Sequence, residues 1–370
     1  MIPKIAILGA NGFIGSRTAE MLHLSQLVEI RPIVRNFASL ARLARFDLED
    51  DLDCRVADGF DESKLSEAMI GCDALIYAIA GDRQTILQTL KPVYRAAEEI
   101  GLRRIVYLSS ASVHGQAPPP DTNDESPLSD RQSFHYNNSK VRAEWKLQAL
   151  RDKGTVEVVI LRPGIVTGPR SQWVRNFADA LLNGQAYLIN QGRGICNSIY
   201  IDNLVHAIFL AATVPQIDRQ AFLVGDTETV TWADVYRPIA DALGDDLAQV
   251  PEAIVPQFKP GLGQRFDAIR SSGMVQGLLG YFPVKWRRLA SAAIVRLREG
   301  EAGSPWRMPN AIAPMANKEM TELYQCRYKM PHQKATRLLG YEPPISFEEG
   351  CRRTIGWMGF AGYPVEDGLK

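Results

Sequence analysis

Lys4-Ile5-Ala6-Ile7-Leu8-Gly9-Ala10-Asn11-Gly12-Phe13-Ile14-Gly15 is the stretch that decides the fold. Its first five residues form a short apolar run that predicts a buried strand. A helical pattern then runs to about Ser25. Between them lies a GxxGxxG loop. Gly9 permits the tight turn, Gly12 lets backbone approach a pyrophosphate, and Gly15 lets the helix close on the sheet. The helix N-terminus offers unpaired N–H groups to phosphate oxygens. Three glycines could serve only a tight turn, but the strand before and the helix after favour the phosphate loop.

Working outward, Val28 to Val34 predicts a second strand, ending in Arg35-Asn36. In a dinucleotide fold this strand end faces the adenosine ribose. An acid there suits the 2′-hydroxyl of NAD, and an arginine suits the 2′-phosphate of NADP. Arg35 therefore favours NADP(H), with NAD(H) as the alternative. The plainer reading is an arginine snorkelling at a strand end. Arg55-Val56-Ala57-Asp58 predicts a third strand, with Asp58 placed to meet the adenine, and Ala74 to Ala80 a fourth. A helix from Asp82 to Ile100, carrying Pro92, leads to a fifth at Ile105–Ser110. Strands alternating with helices predict an α/β fold with a doubly wound parallel sheet.

Tyr136 is followed four residues later by Lys140, and Ser110 lies one strand and one loop upstream. Four residues make about one helical turn, so Tyr136 and Lys140 share a face. A free phenol has a pKa of about 10, and bringing it to about 7 needs roughly 4 kcal/mol. An ammonium about 4 Å away at an effective dielectric of about 20 supplies roughly that amount. The spacing by itself is weak, because Tyr and Lys four apart on a surface helix are usually just solvated.

With these neighbours the chain resembles the extended short-chain dehydrogenases/reductases, also called the NAD(P)-dependent epimerase/dehydratase family. The similarity rests on GANGFIG (9–15), Asp58, YLSSASVHG (107–115), YNNSK (136–140), LRPGIVTGP (161–169) and IYIDNLV (199–205). FLVGDTETVTWADV (222–235) and KATRLLGYEPPISFEEGCRRTIGWM (334–358) resemble its closing elements. The resemblance makes Ser110 a hydrogen-bond donor to the substrate oxygen and Tyr136 the proton donor or acceptor. It gives Lys140 the task of lowering the Tyr136 pKa and holding the nicotinamide ribose. Gly9, Asn11, Gly12, Phe13, Ile14 and Gly15 would cradle the pyrophosphate. Ala78, Ala80 and Pro163 would border the cofactor. Ser112, His114 and Ile165 would face the substrate, Ser112 ranking behind Ser110.

Three departures from the family pattern stand out. Ile86 occupies the place of the asparagine that orders the relay water, with Gln84 and Gln88 beside it. Ile165 stands where sugar-nucleotide members often carry Asn, a mild argument against a nucleotide sugar. His114 replaces the usual tyrosine before Gly115, and a lone histidine is more often a satisfied loop residue than a catalyst. The resemblance therefore implies an NAD(P)-dependent oxidoreductase acting at a secondary alcohol or ketone. The alternative is a nucleotide-sugar epimerase or dehydratase that returns the hydride to its substrate. A non-catalytic cofactor sensor is disfavoured by the intact Ser110, Tyr136 and Lys140.

The 370 residues, 46% of them hydrophobic, can bury one large core or two unequal ones. Lys plus Arg and Asp plus Glu both number 42, leaving no electrostatic footprint for nucleic acid. No apolar run reaches membrane-span length, and Met1 leads directly into the first strand, with no room for a signal peptide. Five scattered cysteines at 54, 72, 196, 326 and 351 show no metal spacing and suit a reducing cytoplasm. The expected domains interleave. Residues 1–165 with about 198–216 bind the dinucleotide, and about 166–197 with 217–370 form a smaller α/β substrate domain. The loop from Gln116 to Ser133 is expected to act as a flap. The apolar patch Met274–Pro283 and the basic run Lys285-Trp286-Arg287-Arg288 suggest a lid or dimer element rather than membrane contact. A stripe of Ile86, Leu90, Val93 and Ala97 predicts either sheet packing or a homodimer.

Overall fold

The computed structural model describes residues 3–36, 53–255 and 316–366. The chain divides into two compact units, Met1–Glu252 with Glu319–Lys370, and Ala253–Lys318. The patch at 274–283 and the basic run at 285–288 lie outside the described residues.

The first unit opens β1 (Lys4–Leu8), α1 (Phe13–Ser25), β2 (Glu29–Val34), β3 (Arg55–Val56), α2 (Glu62–Met69), β4 (Ala74–Tyr77). It continues α3 (Arg83–Gln88), α4 (Leu90–Glu99), β5 (Arg104–Leu108), α5 (His135–Arg151), β6 (Glu157–Pro163), β7 (Ile165–Thr167), α6 (Gln172–Leu182). Then follow β8 (Ile195–Cys196), β9 (Ser198–Tyr200), α7 (Ile201–Thr213), β10 (Ala221–Val224), β11 (Val230–Thr231) and α8 (Trp232–Ala242). Helices α9 (Lys318–Tyr324), α10 (Gln333–Leu339) and α11 (Phe347–Phe360) close the described chain.

Seven strands form one parallel sheet in the order β10-β6-β5-β4-β1-β2-β3. The order reverses between β1 and β4, which puts a crevice beyond their carboxyl ends. Each central strand is buried on both faces, so it reads as an unbroken apolar run rather than an alternating one. One face packs against Ala19, Leu22, Leu204, Ile208 and Leu339 from α1, α7 and α10. The other packs against Leu65, Met69, Leu90, Val93, Ala143 and Leu147 from α2, α4 and α5. Each such leucine, isoleucine or valine contributes roughly 1.5–3 kcal/mol on burial.

Several elements differ from expectation. The helix expected over 82–100 is two helices that break at Thr89. Pro92 has no N–H for the Gln88 carbonyl and its ring crowds that turn, so the first helix ends there. The stripe Ile86, Leu90, Val93 and Ala97 is buried in the chain's own core. It therefore offers no face to a second copy. Ala221–Val224, expected in the second lobe, pairs with β6 as an edge strand of the main sheet. Its apolar run follows α7, whose crossover returns the chain to the sheet. The loop at 116–133 is anchored, since Asp124 O accepts from Arg162 Nη1 at 2.8 Å and Gln132 Nε2 donates to Val113 O at 2.7 Å.

Thr231 and Asp234 form a complete capping box at the start of α8, and Ser346 caps α11. Asp202 in the IYIDNLV motif is buried and binds Arg17 and Arg353, tying α7 to α1 and α11. All five cysteines are free thiols. Among the described residues, no helix is long and apolar enough to cross a membrane.

Candidate active site

The glycine loop forms a cradle at the carboxyl end of β1. Gly9 has φ +87°, and a Cβ there would stand 2.8 Å from the Ala78 carbonyl oxygen. A Cβ on Gly15 would lie 2.2 Å from the Gly9 oxygen. Only glycine fits either place. The Gly12 N–H bonds Gly9 O at 2.9 Å, closing the turn. Helix α1 has no side-chain cap and no acid in its first turn. The N–H groups of Phe13, Ile14 and Gly15 therefore have no carbonyl within the helix and present positive charge outward. This cradle fits the phosphates of a dinucleotide.

The other expected cofactor residues gather on the same sheet edge. Ala78 and Ala80 follow β4, and Pro163 ends β6. Arg35 is exposed one residue past β2. Asp58 lies just past β3, where its carboxylate accepts from Phe60 N at 3.1 Å and shapes the turn.

Tyr136 sits in the first turn of α5, and Lys140 one turn later beneath it. Ser110, just past β5, faces the Tyr136 phenol and works to lower its pKa. Its Oγ also accepts from Ser112 N at 3.2 Å and pairs with Ser112 Oγ at 2.9 Å. The structure thus brings all three expected catalytic residues together. Their electrostatics differ from expectation. Tyr136 is 47% exposed, and the partial desolvation of its phenol raises its pKa, with Ser110 working against that and Glu319 adding to the rise. Lys140 is buried, and its Nζ donates to Leu108 O at 2.8 Å, faces the Tyr107 ring, and lies 5.9 Å from the Tyr136 ring centroid. Burial lowers the Lys140 pKa to about 8, with Glu144 pulling upward. The ammonium donates to the Leu108 carbonyl at 2.8 Å and to the Tyr107 hydroxyl at 3.4 Å.

Ser110, Ser112, Pro163 and Ile165 line a cavity of about 50 Å³. Gln116, Asn197, Trp232, Leu323 and Met330 complete its walls. No sequence motif marked these as pocket residues. Trp232 was legible only as a helix start, and Leu323 and Met330 reach the site from sequence-distant segments. Through Gly115 and Gln116 this chamber adjoins a cleft of about 530 Å³ under the 116–133 loop.

His114 borders that outer cleft but is held as a structural group. Its Nε2 faces Arg162 Nη1 at 3.3 Å, and burial together with that cation pushes its pKa down to about 4. Arg162 in turn pairs with Glu144 at 2.7 Å, both side chains buried. Gln84 and Gln88 are exposed and bond each other at 3.1 Å, and Ile86 is buried in the core, so this helix brings no relay group to Tyr136.

UDP-glucose 4-epimerase of Vibrio cholerae is 28% identical over 271 residues, covering 68% of this chain and 80% of the relative. The decarboxylating sterol-4-alpha-carboxylate 3-dehydrogenase of Candida albicans is 22% identical, covering 96% and 98%. Among solved structures, dTDP-glucose 4,6-dehydratase of Bacillus anthracis with NAD superposes with TM-score 0.69 at 14% identity, covering 100% of both chains. At that identity the likeness shows the fold alone. Residues 5–225 match the family profile, spanning the phosphate loop, the serine turn, the Tyr136 helix and the sheet's last strand. With that match over more than half its length, the chain belongs to the NAD dependent epimerase/dehydratase family and is an enzyme of its oxidoreductase and epimerase group.

Proposed function

We propose that this enzyme moves a hydride between a nicotinamide dinucleotide and the carbon of a secondary alcohol or ketone, with Tyr136 exchanging the proton. The observation that carries this is Ser110 on the wall of the inner cavity beside Tyr136, with the Lys140 ammonium 5.9 Å from the Tyr136 ring centroid. The nicotinamide, when bound, supplies the hydride acceptor or donor. Ser110 donates to the substrate oxygen and orients it toward the Tyr136 phenol. A phenol kept protonated is poised to give its proton to the alkoxide oxygen of a ketone under reduction. Lys140, its pKa lowered by burial to about 8, is still protonated at neutral pH and can give a proton beneath it. Pro163 and Ile165 wall the chamber with apolar surface and exclude water.

In this proposal Gly9, Asn11, Gly12, Phe13, Ile14 and Gly15 hold the pyrophosphate, and Asp58, Ala78 and Ala80 border the adenosine side. Arg35, exposed beyond β2, grips a 2′-phosphate and makes NADP(H) the preferred cofactor over NAD(H). The enzyme works in the cytoplasm as a homodimer, with Trp145 of α5, 46% exposed, as the surface available for pairing.

The second reading is a nucleotide-sugar epimerase or dehydratase, favoured by the similarity to UDP-glucose 4-epimerase. It uses the same opening step and then returns the hydride. A screen of secondary alcohols, ketones and nucleotide sugars that follows nicotinamide absorbance separates the two. Net absorbance change in proportion to product supports the oxidoreductase. Product with no net change supports the epimerase or dehydratase.

A further inference from the structure

Strand β5 alternates its side chains across the sheet, which turns Tyr107 toward the layer of α4 and α5. There it shares a core cluster with Ala143 and Leu147 of α5. Lys140, on the same helix, places its Nζ over the Tyr107 ring, 5.0 Å from the centroid, and donates to the Tyr107 hydroxyl at 3.4 Å. The Leu108 carbonyl takes a second N–H at 2.8 Å, so two successive residues of one strand fix the ammonium. Tyr107 is itself held fast. It is 1% exposed, and its ring meets the Tyr77 ring of β4 with centroids 5.3 Å apart. Tyr77 in turn bonds Thr89, where α3 gives way to α4. Among the described residues, the titratable groups facing Lys140 are Tyr107 from β5, and Tyr136 and Glu144 from its own helix. Glu144 is paired with Arg162 of β6 at 2.7 Å.

We propose that Tyr107 is a positioning residue for Lys140, its hydroxyl accepting one N–H and its ring facing the charge, so that the ammonium keeps its place beside Tyr136. The inference rests on the hydride-transfer reading above and adds to it the side chain that holds Lys140. A hydrogen-bond acceptor and an aromatic face both favour the charged form of an amine. They offset part of the burial that lowers the Lys140 pKa to about 8. Without the Tyr107 hydroxyl, burial meets less opposition and the ammonium gives up its proton more readily. Tyr107 touches neither cavity and acts only through Lys140.

The test follows Lys140 itself. The full chain is labelled with lysine carrying carbon-13 at the ε position, and the Lys140 signal is identified by its loss in Lys140→Met. Its shift is recorded across the pH range in which the protein stays folded. Tyr107→Phe keeps the ring and removes the hydroxyl. It is expected to make Lys140 titrate about one pH unit lower, near the smaller end of what a hydrogen bond to a charged group contributes. Tyr77→Phe breaks the Tyr77–Thr89 bond behind Tyr107 but no contact with the ammonium, so it should leave the titration in place even where it costs stability. An unmoved titration in Tyr107→Phe overturns the proposal. So does an equal fall in Tyr77→Phe, which would make the effect one of core packing. A check free of core variants is a nuclear Overhauser contact between the Lys140 ε protons and a tyrosine ring, expected to persist in Tyr136→Phe. Its absence there also overturns the proposal. These readings are taken without substrate, whereas the hydride-transfer reading stands or falls on turnover, so the two failures are distinguishable.

Discussion

The Nζ of Lys140 donates to the carbonyl oxygen of Leu108 at 2.8 Å, at the end of the strand that also leads to Ser110. This bond ties α5 to the sheet edge and holds the ammonium 5.9 Å from the Tyr136 ring centroid. Lys140 is buried and its pKa falls, while Tyr136 is half exposed and the partial desolvation of its phenol raises its pKa.

That burial has a measurable cost to stability. Lys140 has its folded pKa at about 8, depressed from an ordinary value of 10.5. Between those values the unfolded chain binds more protons, so this group's contribution to stability rises as pH climbs from about 8 to 10.5. At pH 7 the penalty is on the order of 3 kcal/mol. Lys140→Met is therefore expected to raise the denaturation midpoint at pH 7 while lowering turnover. The stability gap from wild type should narrow above pH 8. Denaturant melts of both proteins across that range check it; a less stable variant at pH 7 would contradict it.

Arg162 and Glu144 form a buried pair whose removal should act in the opposite sense. Arg162→Met leaves Glu144 without its cation, and also frees the Asp124 carbonyl and His114 from their partner. Breaking a buried pair on one side typically costs about 3–5 kcal/mol. Urea unfolding should show a loss of that size, and a change below about 1 kcal/mol would place the pair among those with little net effect.

The proposed preference for NADP(H) rests on Arg35. A guanidinium holds a 2′-phosphate with paired charge-assisted bonds and offers a bare hydroxyl much less. NADP(H) should bind more tightly than NAD(H), and Arg35→Asp should lower that preference tenfold or more, about 1.4 kcal/mol per tenfold. Fluorescence titration of both cofactors measures it. Equal affinities in wild type, or an unmoved ratio in the variant, would leave Arg35 an ordinary surface arginine.

The phosphate loop and the alternation of strands and helices were legible in the sequence because both are local. Gly9 and Gly15 are dictated by close backbone approach, and the central strands by burial on both faces. What escaped was decided by packing across distance. The Ile86–Ala97 stripe has the same spacing whether it meets the sheet or a second subunit, and only the fold shows that it meets the sheet. Pro92 was read within one continuous helix, whereas the chain breaks at Thr89. The direction of Lys140 depended on the Leu108 carbonyl, 32 residues away. Gln116, Leu323 and Met330 meet around Ser110 through connections that no spacing encodes.

The most direct test of the account is Tyr136→Phe, which removes only the phenol hydroxyl beside Ser110. On a substrate found by the absorbance screen, turnover should fall by about 10²–10⁴, the usual worth of a general acid–base group. Dinucleotide affinity should stay nearly unchanged, because the glycine cradle is untouched. A purified Phe variant with near wild-type kcat would contradict the assignment of Tyr136 as the group that moves the proton.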